Sequence, residues 1–284
     1  MPLDMTDSIR TIVRTALDED IRSGDVTTRV ICRQETAATA RFVAHADAIV
    51  AGHALAALVF ETIDPGLAYA AQVADGEPIA NGDVLGTVSG SAAGILTGER
   101  TALNFLQRMT GIATLTAAFV ARVPASIMIR DTRKTTPGLR AIEKYAVVCG
   151  GGTNHRMGLH DMIMIKDNHR ELWRHSESGG LAGALAACRA QYPELEVEVE
   201  VDTVEEFEEA IGAGPDWILL DNMSADDMRR CVALRDGGCR LEASGGINLS
   251  TIDEVATTGI DAVSLGCLTH SAAAADIGLD LELS

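Results

Sequence analysis

Residues 131–170 concentrate the side chains with which this chain could do chemistry. They contain seven Lys or Arg and four Asp or Glu, whereas the 284-residue chain contains 23 and 41 and carries a formal net charge of −18. The stretch reads DTRKTTPGLR (131–140), GGGTNHRMGLHD (150–161) and MIMIKDNH (162–169). A short positive island in an acidic protein predicts a pocket for a small, multiply anionic ligand. Nucleic acid is not expected as a partner, because duplex binding needs an extended basic face.

The basic residues of this island have the chemistry of a carboxylate site. Guanidinium groups bind carboxylates in a bidentate way, so Arg133, Lys134 and Arg156 favour a substrate with more than one carboxylate. A loop histidine is by default solvated, but the neighbouring cations favour a place for His155 in the same pocket. Lys166 ends an apolar run, which leaves open a Schiff-base amine of the aldolase type or a permanently charged ligand. The acidic residues nearby favour the charged ligand.

Carboxylates alternate with valines in the segment EVEVEVD (196–202). The alternation places three of them on one face of a predicted strand: Glu196, Glu198 and Glu200. Unpaired carboxylates inside a barrel are costly, so we expect them to meet cations, with Lys134 and Lys166 as the candidates. Glu200 and Asp221, each near the end of a strand, together predict a site for a diol or a divalent cation.

Two glycine-containing turns predict a phosphate site. SGGIN (244–248) follows one predicted strand, and SLG (264–266) ends the next. Such turns point backbone N–H groups and helix dipoles at one place, which favours a phosphate dianion. Glycines that merely allow tight turns are the alternative, but a pair on consecutive final strands favours phosphate binding.

Short apolar runs alternate with helical stretches after residue 124, which predicts a parallel sheet. The six predicted strands are 126–132, 162–167, 197–202, 216–222, 239–244 and 261–266. The predicted helices include 138–149, 180–191, 203–213, 224–234 and 250–258, with Thr203 and Ser224 as N-caps. Every predicted strand ends in a residue that can take part in catalysis or bind phosphate. An open, doubly wound sheet needs these only at its switch point, so we predict an α/β (TIM-like) barrel, whose carboxyl ends meet at one mouth.

Before residue 110 the sequence predicts a different succession of elements. Short strands and turns are expected in 65–97, and helices at 5–20, 52–62 and 99–123. We therefore predict a smaller N-terminal α+β sandwich domain over residues 1–112 and the barrel over 113–270. The last residues, 271–284, alternate apolar and polar side chains and are expected to return as a strand on the first domain's sheet.

Bulk composition narrows the class of protein. The chain is 47% hydrophobic, which supports a large core. We expect no membrane association, because no apolar run approaches the roughly 18 residues that span a bilayer. Six cysteines without a CxxC pair are typical of reduced thiols, so a cytoplasmic protein is expected.

Taken together, these motifs resemble the quinolinate phosphoribosyltransferases, the carboxylating nicotinate-nucleotide pyrophosphorylases. The resemblance runs from EDIRSGDVTT (19–28) and GERTALNFLQRMTGIAT (98–114) through the basic strings to VEVEVDT, LLDNM, EASGG and LGCLTHSA. It covers nearly the whole chain, and the order and spacing of the strings are highly specific. It implies conversion of quinolinate and phosphoribosyl pyrophosphate, with Mg2+, to nicotinate mononucleotide, pyrophosphate and CO2 in NAD biosynthesis.

The resemblance also implies roles for individual residues. The residues expected around the pyridine dicarboxylate and the pyrophosphate are Arg133, Lys134, His155, Arg156 and Lys166. Ribose hydroxyls and Mg2+ are expected at Glu200 and Asp221, with the metal held mainly through the substrate pyrophosphate. The expected 5′-phosphate site is Ser244, Gly245, Gly246, Gly266 and His270. Lys134, Lys166, Glu200 and Asp221 are the expected catalytic residues. Arg100 is expected from the other subunit of a homodimer or higher homo-oligomer with shared active sites.

One departure from the family pattern follows IKDNH. Arg170 and ELWRHSESGG stand where a more apolar helix start is expected, so the conformation of 170–180 stays open.

Three other functions stay open. A homologous enzyme associated with molybdenum transport shares the DTRKTTPGLR style but lacks the full NHR and KDNH strings. A barrel aldolase would use Lys166 as a Schiff base. A non-catalytic carrier is suggested by the lipoyl-like texture of 76–90, yet the chain has no lysine before Lys134.

Overall fold

The computed structural model describes residues 3–33, 35–175, 179–235 and 237–283. Contacts divide the chain into two compact units. The first comprises Met1–Ala117, Thr135–Gly151 and Leu268–Ser284, and the second comprises Ala118–Lys134 and Gly152–Cys267. Residues 135–151 thus group with the first unit, although the sequence analysis assigns all of 113–270 to one domain.

The first unit is built on an antiparallel sheet of four strands in the order β12, β1, β5, β3. Its strands are β1 (Ala37–Ala44), β3 (Ala68–Ala71), β5 (Val84–Ser91) and β12 (Ile277–Leu283), and a separate small sheet pairs β2 (Ala48–Ile49) with β4 (Pro78–Ile79). β12 pairs with β1 along its whole length, which confirms the strand predicted at the end of the chain. Alternate residues of β1 are buried, as expected for a sheet with one face on a core.

The first unit also contains helices. They are α1 (Asp7–Ile21), α2 (Val26–Ile31), α3 (His53–Ile63), α4 (Ala92–Val120), which runs on into the second unit, α5 (Arg140–Cys149) and α11 (Cys267–His270). α1 begins after Thr6, whose hydroxyl accepts the N–H of Ile9 at 3.5 Å. α4 starts earlier than the predicted residue 99, because the chain passes directly from β5 into the helix.

The second unit is a six-stranded parallel sheet in the order β6, β11, β10, β9, β8, β7. Its strands are β6 (Met128–Arg130), β7 (Ile163–Ile165), β8 (Val197–Val201), β9 (Trp217–Asp221), β10 (Arg240–Ser244) and β11 (Ala262–Ser264). Consecutive strands β7 to β11 are neighbours, and the last of them lies beside the first strand, β6. This circular strand order is that of a barrel, because in a doubly wound sheet the order of the strands reverses at a switch point. Among the described residues, no ladder joins β6 to β7.

Helices follow the strands of the second unit. They are α6 (Asp167–His175), α7 (Gly180–Gln191), α8 (Val204–Ala213), α9 (Ala225–Leu234) and α10 (Ile252–Val255). Thr203 and Ser224 accept backbone N–H groups at 3.2 and 3.1 Å, which confirms both predicted N-caps. The helix predicted over 250–258 is observed only as the short α10, because residues 249–251 form a turn before it.

α6 occupies the start of the segment whose conformation the sequence left open. Arg170 is buried there and forms ion pairs with Glu206 at 3.0 Å and Glu209 at 3.4 Å. These acceptors lie on α8, so an ionic contact takes the place of the apolar one expected. Residues 176–178 of the same segment lie outside the described residues.

The base of the barrel interior is closed by Trp217. Its ring packs with Met162 and Ala262, and two guanidinium groups lie over it, that of Arg130 at 4.6 Å and that of Arg240 at 4.1 Å from the ring centroid. The indole N–H donates to Glu196 at 3.2 Å. The cations stack on the aromatic face, an arrangement that stabilises charge beside an apolar ring.

None of the helices in the described ranges is long and apolar enough to cross a membrane.

Trp217→Ala is expected to lower the free energy of unfolding by about 3–5 kcal/mol, because it opens a cavity and removes both stacking contacts. Trp217→Phe is the matched control and is expected to retain most of the stability, since an aromatic ring remains. Urea unfolding followed by circular dichroism measures both. Equal stability of the alanine and phenylalanine variants would show that the ring does not close the base.

Candidate active site

A cavity of about 270 Å³ opens at the carboxyl ends of the barrel strands. It is lined by Thr132, Arg133, Lys134, His155, Arg156, Met164, Lys166, Glu200, Leu219, Asp221, Ser244 and Ser264. All of these residues belong to the second unit. Eight of the residues expected at the active site are therefore brought together: Arg133, Lys134, His155, Arg156, Lys166, Glu200, Asp221 and Ser244.

The register of the strands explains why these side chains meet. Asp221 on β9 lies opposite Ser244 on β10, which in turn lies opposite Ser264 on β11. Residues in register on parallel strands point to the same face of the sheet, so alternate residues of every strand face the barrel interior. Met164 and Leu219 are among these inward-facing residues and give the cavity an apolar wall between its charged groups.

Lys166 and Glu200 form an ion pair within the cavity, which confirms the partner expected for this carboxylate. The lysine follows β7 and the glutamate is on β8, the neighbouring strand. The backbone N–H of Lys166 donates to His169 Nδ1 at 3.0 Å, which fixes the chain at the start of α6. The Lys166 amine is already engaged as a hydrogen-bond donor to Glu200, whereas a Schiff-base nucleophile attacks with a free lone pair.

The other two carboxylates of β8 meet different partners from those expected. Glu196, at the amino end, pairs with Arg240 at 2.5 Å and is half exposed. Glu198 is fully buried and accepts a hydrogen bond from His155, whose Nε2 lies 3.0 Å from its Oε2. Neither position lies next to Lys166 at the mouth, since the three carboxylates are spread over the depth of the strand.

His155 is buried and lines the cavity, the place that its neighbouring cations favour in the sequence over a solvated loop position. Its loop returns along the first barrel strand, where Thr153 forms a parallel bridge with Arg130. The backbone N–H of His155 then donates to Asp131 Oδ1 at 2.9 Å. This non-local pairing carries the imidazole into the barrel interior.

Glu242 lies behind His155 and was not singled out from the sequence. One oxygen accepts from Arg130 Nη1 at 2.5 Å, and the other accepts from the Ser264 hydroxyl and lies 3.4 Å from His155 Nε2. The sequence does contain a signal for Glu242: it stands two residues before Ser244 on the same strand, so both side chains point to the same face. Thr132, Met164 and Leu219 also line the cavity, and no pattern in the sequence predicted them as site residues.

Burial shifts the pKa values of the ionisable groups in and beneath the cavity. It raises the pKa of Glu198 to about 7, against the opposing effect of Arg130 and Arg156. Burial likewise raises the pKa of Glu242, and the nearby Glu198 charge adds to the effect. At the mouth, burial and the neighbouring Arg133 lower the pKa of Arg156.

Two groups of side chains offer ligand atoms for a metal cation. Glu200 and Asp221 offer carboxylate oxygens in the cavity, which suits Mg2+. The ligand atoms of His155, Glu198 and Glu242 all lie within 4.8 Å of one another. Both oxygens of Glu242 already accept hydrogen bonds, from Arg130 and from Ser264, so a cation there would have to compete with one of these donors.

The turn after β10 is built on two glycines with positive φ, +90° at Gly245 and +65° at Gly246. A Cβ on Gly245 would lie 2.2 Å from the side-chain oxygen of Asn222, so only glycine allows this approach. Asn222 donates to Asp221 Oδ2 at 2.8 Å, and its backbone N–H donates to the Ser244 carbonyl at 2.9 Å. The turns that follow β9 and β10 are thus held together beside the cavity.

The remaining expected residues are not among those lining the cavity. Gly245, Gly246 and Gly266 lie in the turns that follow β10 and β11. Arg100 and His270 belong to the first unit. Arg100 is exposed on α4 and lines a separate cavity of about 460 Å³ in that unit, while His270 Nδ1 lies 2.6 Å from the Ser271 hydroxyl.

Comparison with known proteins agrees with this architecture over the whole chain. The family model described as quinolinate phosphoribosyl transferase, C-terminal domain, matches residues 112–280, and its N-terminal domain counterpart matches residues 25–110. The nicotinate-nucleotide pyrophosphorylase [carboxylating] of Mycobacterium leprae is 43% identical, with 97% of this chain and 98% of the relative covered. A probable nicotinate-nucleotide pyrophosphorylase [carboxylating] of Bacillus subtilis is 41% identical, with 94% and 91% covered.

Solved structures show the same likeness. The crystal structure of NadC from Streptococcus pyogenes superposes with a TM-score of 0.93 at 40% identity, with 100% of both chains covered. The nicotinate-nucleotide pyrophosphorylase from Francisella tularensis superposes with a TM-score of 0.91 at 34% identity, with 99% of this chain and 98% of the other covered. The barrel cavity with its basic residues, the two-unit fold and these matches agree: the chain belongs to the quinolinate phosphoribosyltransferase family.

Proposed function

We propose that this enzyme converts quinolinate and phosphoribosyl pyrophosphate to nicotinate mononucleotide, pyrophosphate and CO2 in NAD biosynthesis. The observation that carries the proposal is the barrel cavity, which gathers Arg133, Lys134, Arg156 and Lys166 around an apolar wall. A flat pyridine ring with two carboxylates fits this combination, because the cations bind the acids and the wall packs on the ring. The relatives named above carry the same activity in their names.

The two substrates are assigned to different sides of the cavity. The basic side, with Arg133, Lys134 and Arg156, is proposed to bind quinolinate. On the opposite side Glu200 and Asp221 are proposed to bind the ribose hydroxyls, followed by Ser244 toward the phosphate. Gly245, Gly246, Gly266 and His270 are proposed to complete the 5′-phosphate site, since two of these glycines form the turn next to Ser244.

Positioning and charge account for the chemistry. Pyrophosphate leaves the anomeric carbon, positive charge develops there, and the pyridine nitrogen attacks it. Lys166 is proposed to neutralise the departing pyrophosphate, and Glu200 and Asp221 to stabilise the developing positive charge. The alkylated ring is cationic, so it stabilises the electron pair left when the adjacent carboxylate departs as CO2. A proton then adds at that carbon, and the second carboxylate, held by an arginine, is retained.

Mg2+ is proposed as the cofactor. The carboxylates of Glu200 and Asp221 fit it, because hard cations prefer oxygen ligands and both residues line the cavity. When bound, the ion supplies charge neutralisation for the pyrophosphate, mainly through the substrate's own oxygens.

We also propose a homodimer, or a higher homo-oligomer, with shared active sites. Arg100 is exposed on the first unit, and it is proposed to reach the cavity of the partner subunit as the family resemblance implies. A cytoplasmic location is proposed as well, and the six free cysteines suit its reducing conditions.

Of the alternatives, the aldolase is disfavoured because the Lys166 amine is already engaged by the Glu200 carboxylate. The molybdenum-associated homologue is disfavoured because the relatives named above are nicotinate-nucleotide pyrophosphorylases. A lipoyl-like carrier is disfavoured by the absence of lysine before residue 134.

The first expected result concerns the substrate. The purified enzyme with Mg2+ and phosphoribosyl pyrophosphate is expected to release CO2 from carboxyl-labelled quinolinate and to form nicotinate mononucleotide, while nicotinate gives no product. Chelation of Mg2+ is the control and is expected to stop turnover. Turnover of nicotinate without any turnover of quinolinate would reject the proposed reaction.

A second expected result concerns Lys166. Lys166→Ala is expected to lower kcat/KM about 10- to 100-fold, because a hydrogen bond from a charged group contributes about 1.5–3 kcal/mol. Lys166→Arg keeps the charge and is expected to retain more activity than alanine. Equal loss in both variants, together with borohydride trapping of a carbonyl substrate on the wild-type enzyme, would instead establish a Schiff base.

A third expected result concerns the shared site. Mixing Arg100→Ala with Lys166→Ala, each impaired alone, is expected to restore wild-type activity at up to about one quarter of the sites, because hybrid dimers regain one intact site. Mixing Arg156→Ala with Lys166→Ala is the control and should restore nothing, since both changes lie in the same cavity. No recovery despite demonstrated subunit exchange would contradict the shared site.

A further inference from the structure

The buried layer beneath the cavity has no role in the reaction described above. It consists of Glu198, Glu242, Arg130 and the imidazole of His155. Glu198 and Glu242 are both fully buried, and neither is among the residues that line the cavity. His155 belongs to both the layer and the cavity lining, and its ring contacts both carboxylates, so it connects them to the cavity.

We propose that Glu198 and Glu242 are positioning residues, which hold His155 in the tautomer that anchors the backbone of Arg156 at the cavity. The effect on substrate rests on the proposed function, because it takes Arg156 as a ligand of a quinolinate carboxylate. The tautomer itself follows from the hydrogen bonds alone.

The hydrogen bonds of the ring determine where its proton lies. The backbone N–H of Arg156 donates to His155 Nδ1 at 2.7 Å. A backbone N–H can only donate, so Nδ1 carries a lone pair and the proton of the neutral ring is on Nε2. That N–H points to Glu198 Oε2 at 3.0 Å, with Glu242 Oε1 at 3.4 Å behind it. Two acceptors at Nε2 therefore select the tautomer that leaves Nδ1 as an acceptor.

The carboxylates are themselves fixed by the barrel. Arg130 donates to Glu242 at 2.5 Å, and the Ser264 hydroxyl donates to its second oxygen. Arg130 in turn stacks on the ring of Trp217. A continuous set of contacts thus runs from the closed base of the barrel through Glu242 to His155. Such supporting contacts hold a binding residue in place even though they do not touch the ligand.

Arg156 is the residue that this arrangement presents to the cavity. Its guanidinium donates to the Met162 carbonyl at 3.4 Å and lies 3.4 Å from the sulfur of Met164. These are weak contacts, so the position of its backbone matters for where the charge lies. Since both ring nitrogens of His155 have partners within the protein, we assign to this histidine the anchoring of Arg156 instead of a hydrogen bond to substrate.

Two amide replacements of the histidine separate these roles. The side-chain oxygen of Asn occupies roughly the place of Nδ1 and can still accept from Arg156, whereas the amide of Gln reaches the place of Nε2. His155→Asn is expected to raise the KM for quinolinate by less than about threefold, and His155→Gln by about tenfold or more, the value of a hydrogen bond near a charged group. The KM for phosphoribosyl pyrophosphate is expected to change little in either variant. A glutamine variant equal to or better than the asparagine variant would overturn the proposal.

The carboxylate is tested by a second pair of variants. Glu198→Gln and Glu198→Met both remove the charge, but only Gln keeps an acceptor for Nε2–H. We expect the KM for quinolinate to rise about tenfold in Glu198→Met and to be largely rescued in Glu198→Gln. Glu196→Met, on the same strand but half exposed at the far end, is the matched control and is expected to leave the KM unchanged. Equal KM values for the Gln and Met variants would also overturn the proposal.

Nitrogen-15 NMR of the histidine rings tests the tautomer without catalysis. The resonances of His155, assigned by their loss in His155→Asn, are expected to show an unprotonated Nδ1 and a protonated Nε2 in the wild-type enzyme. A protonated Nδ1 would refute the tautomer. Absence of quinolinate turnover by the wild-type enzyme would reject the proposed function and leave this NMR result to decide the tautomer. A variant that fails to fold, seen by circular dichroism, leaves the NMR measurement and the other pair of variants decisive.

Discussion

A charge inside a barrel is tolerated only when another group compensates it, and this requirement organises the second unit. The interior positions hold carboxylates and cations at three depths. At the base Glu196 pairs with Arg240 and both meet Trp217, in the middle Glu198 and Glu242 meet His155 and Arg130, and at the mouth Glu200 pairs with Lys166. Removing one partner of a buried pair is strongly destabilising, and this applies to the middle layer, where Glu198 and Glu242 are fully buried. The substrate cavity is the uppermost of these layers, with additional cations that the proposed substrate would neutralise.

The parts of this arrangement that depend on local pattern were predictable. The barrel strands follow from their apolar runs, and the caps at Thr203 and Ser224 follow from residue type. The mouth residues follow from their place at strand ends, because parallel strands bring these ends together. The family resemblance added the reaction and the roles of individual residues, which pattern alone does not give.

The parts that depend on contacts distant in sequence were not predictable. The alternation in 196–201 shows that three carboxylates share a face, but their partners lie on other strands, and Glu196 and Glu198 meet Arg240 and His155. The burial of His155 depends on the bridge between Thr153 and Arg130, for which the glycine-rich loop gives no signal. Arg170 likewise looks like a solvated residue until α8 places Glu206 and Glu209 around it.

The account stands on the claim that the cavity recognises two carboxylates on one ring. Equilibrium binding of quinolinate and of nicotinate to the unmodified protein, by calorimetry at low and high salt, tests this most directly. We predict that quinolinate binds at least about tenfold more tightly than nicotinate, because the second carboxylate gains charge-assisted hydrogen bonds, and that salt reduces this difference. Equal affinities for the two acids at both salt concentrations would contradict the account.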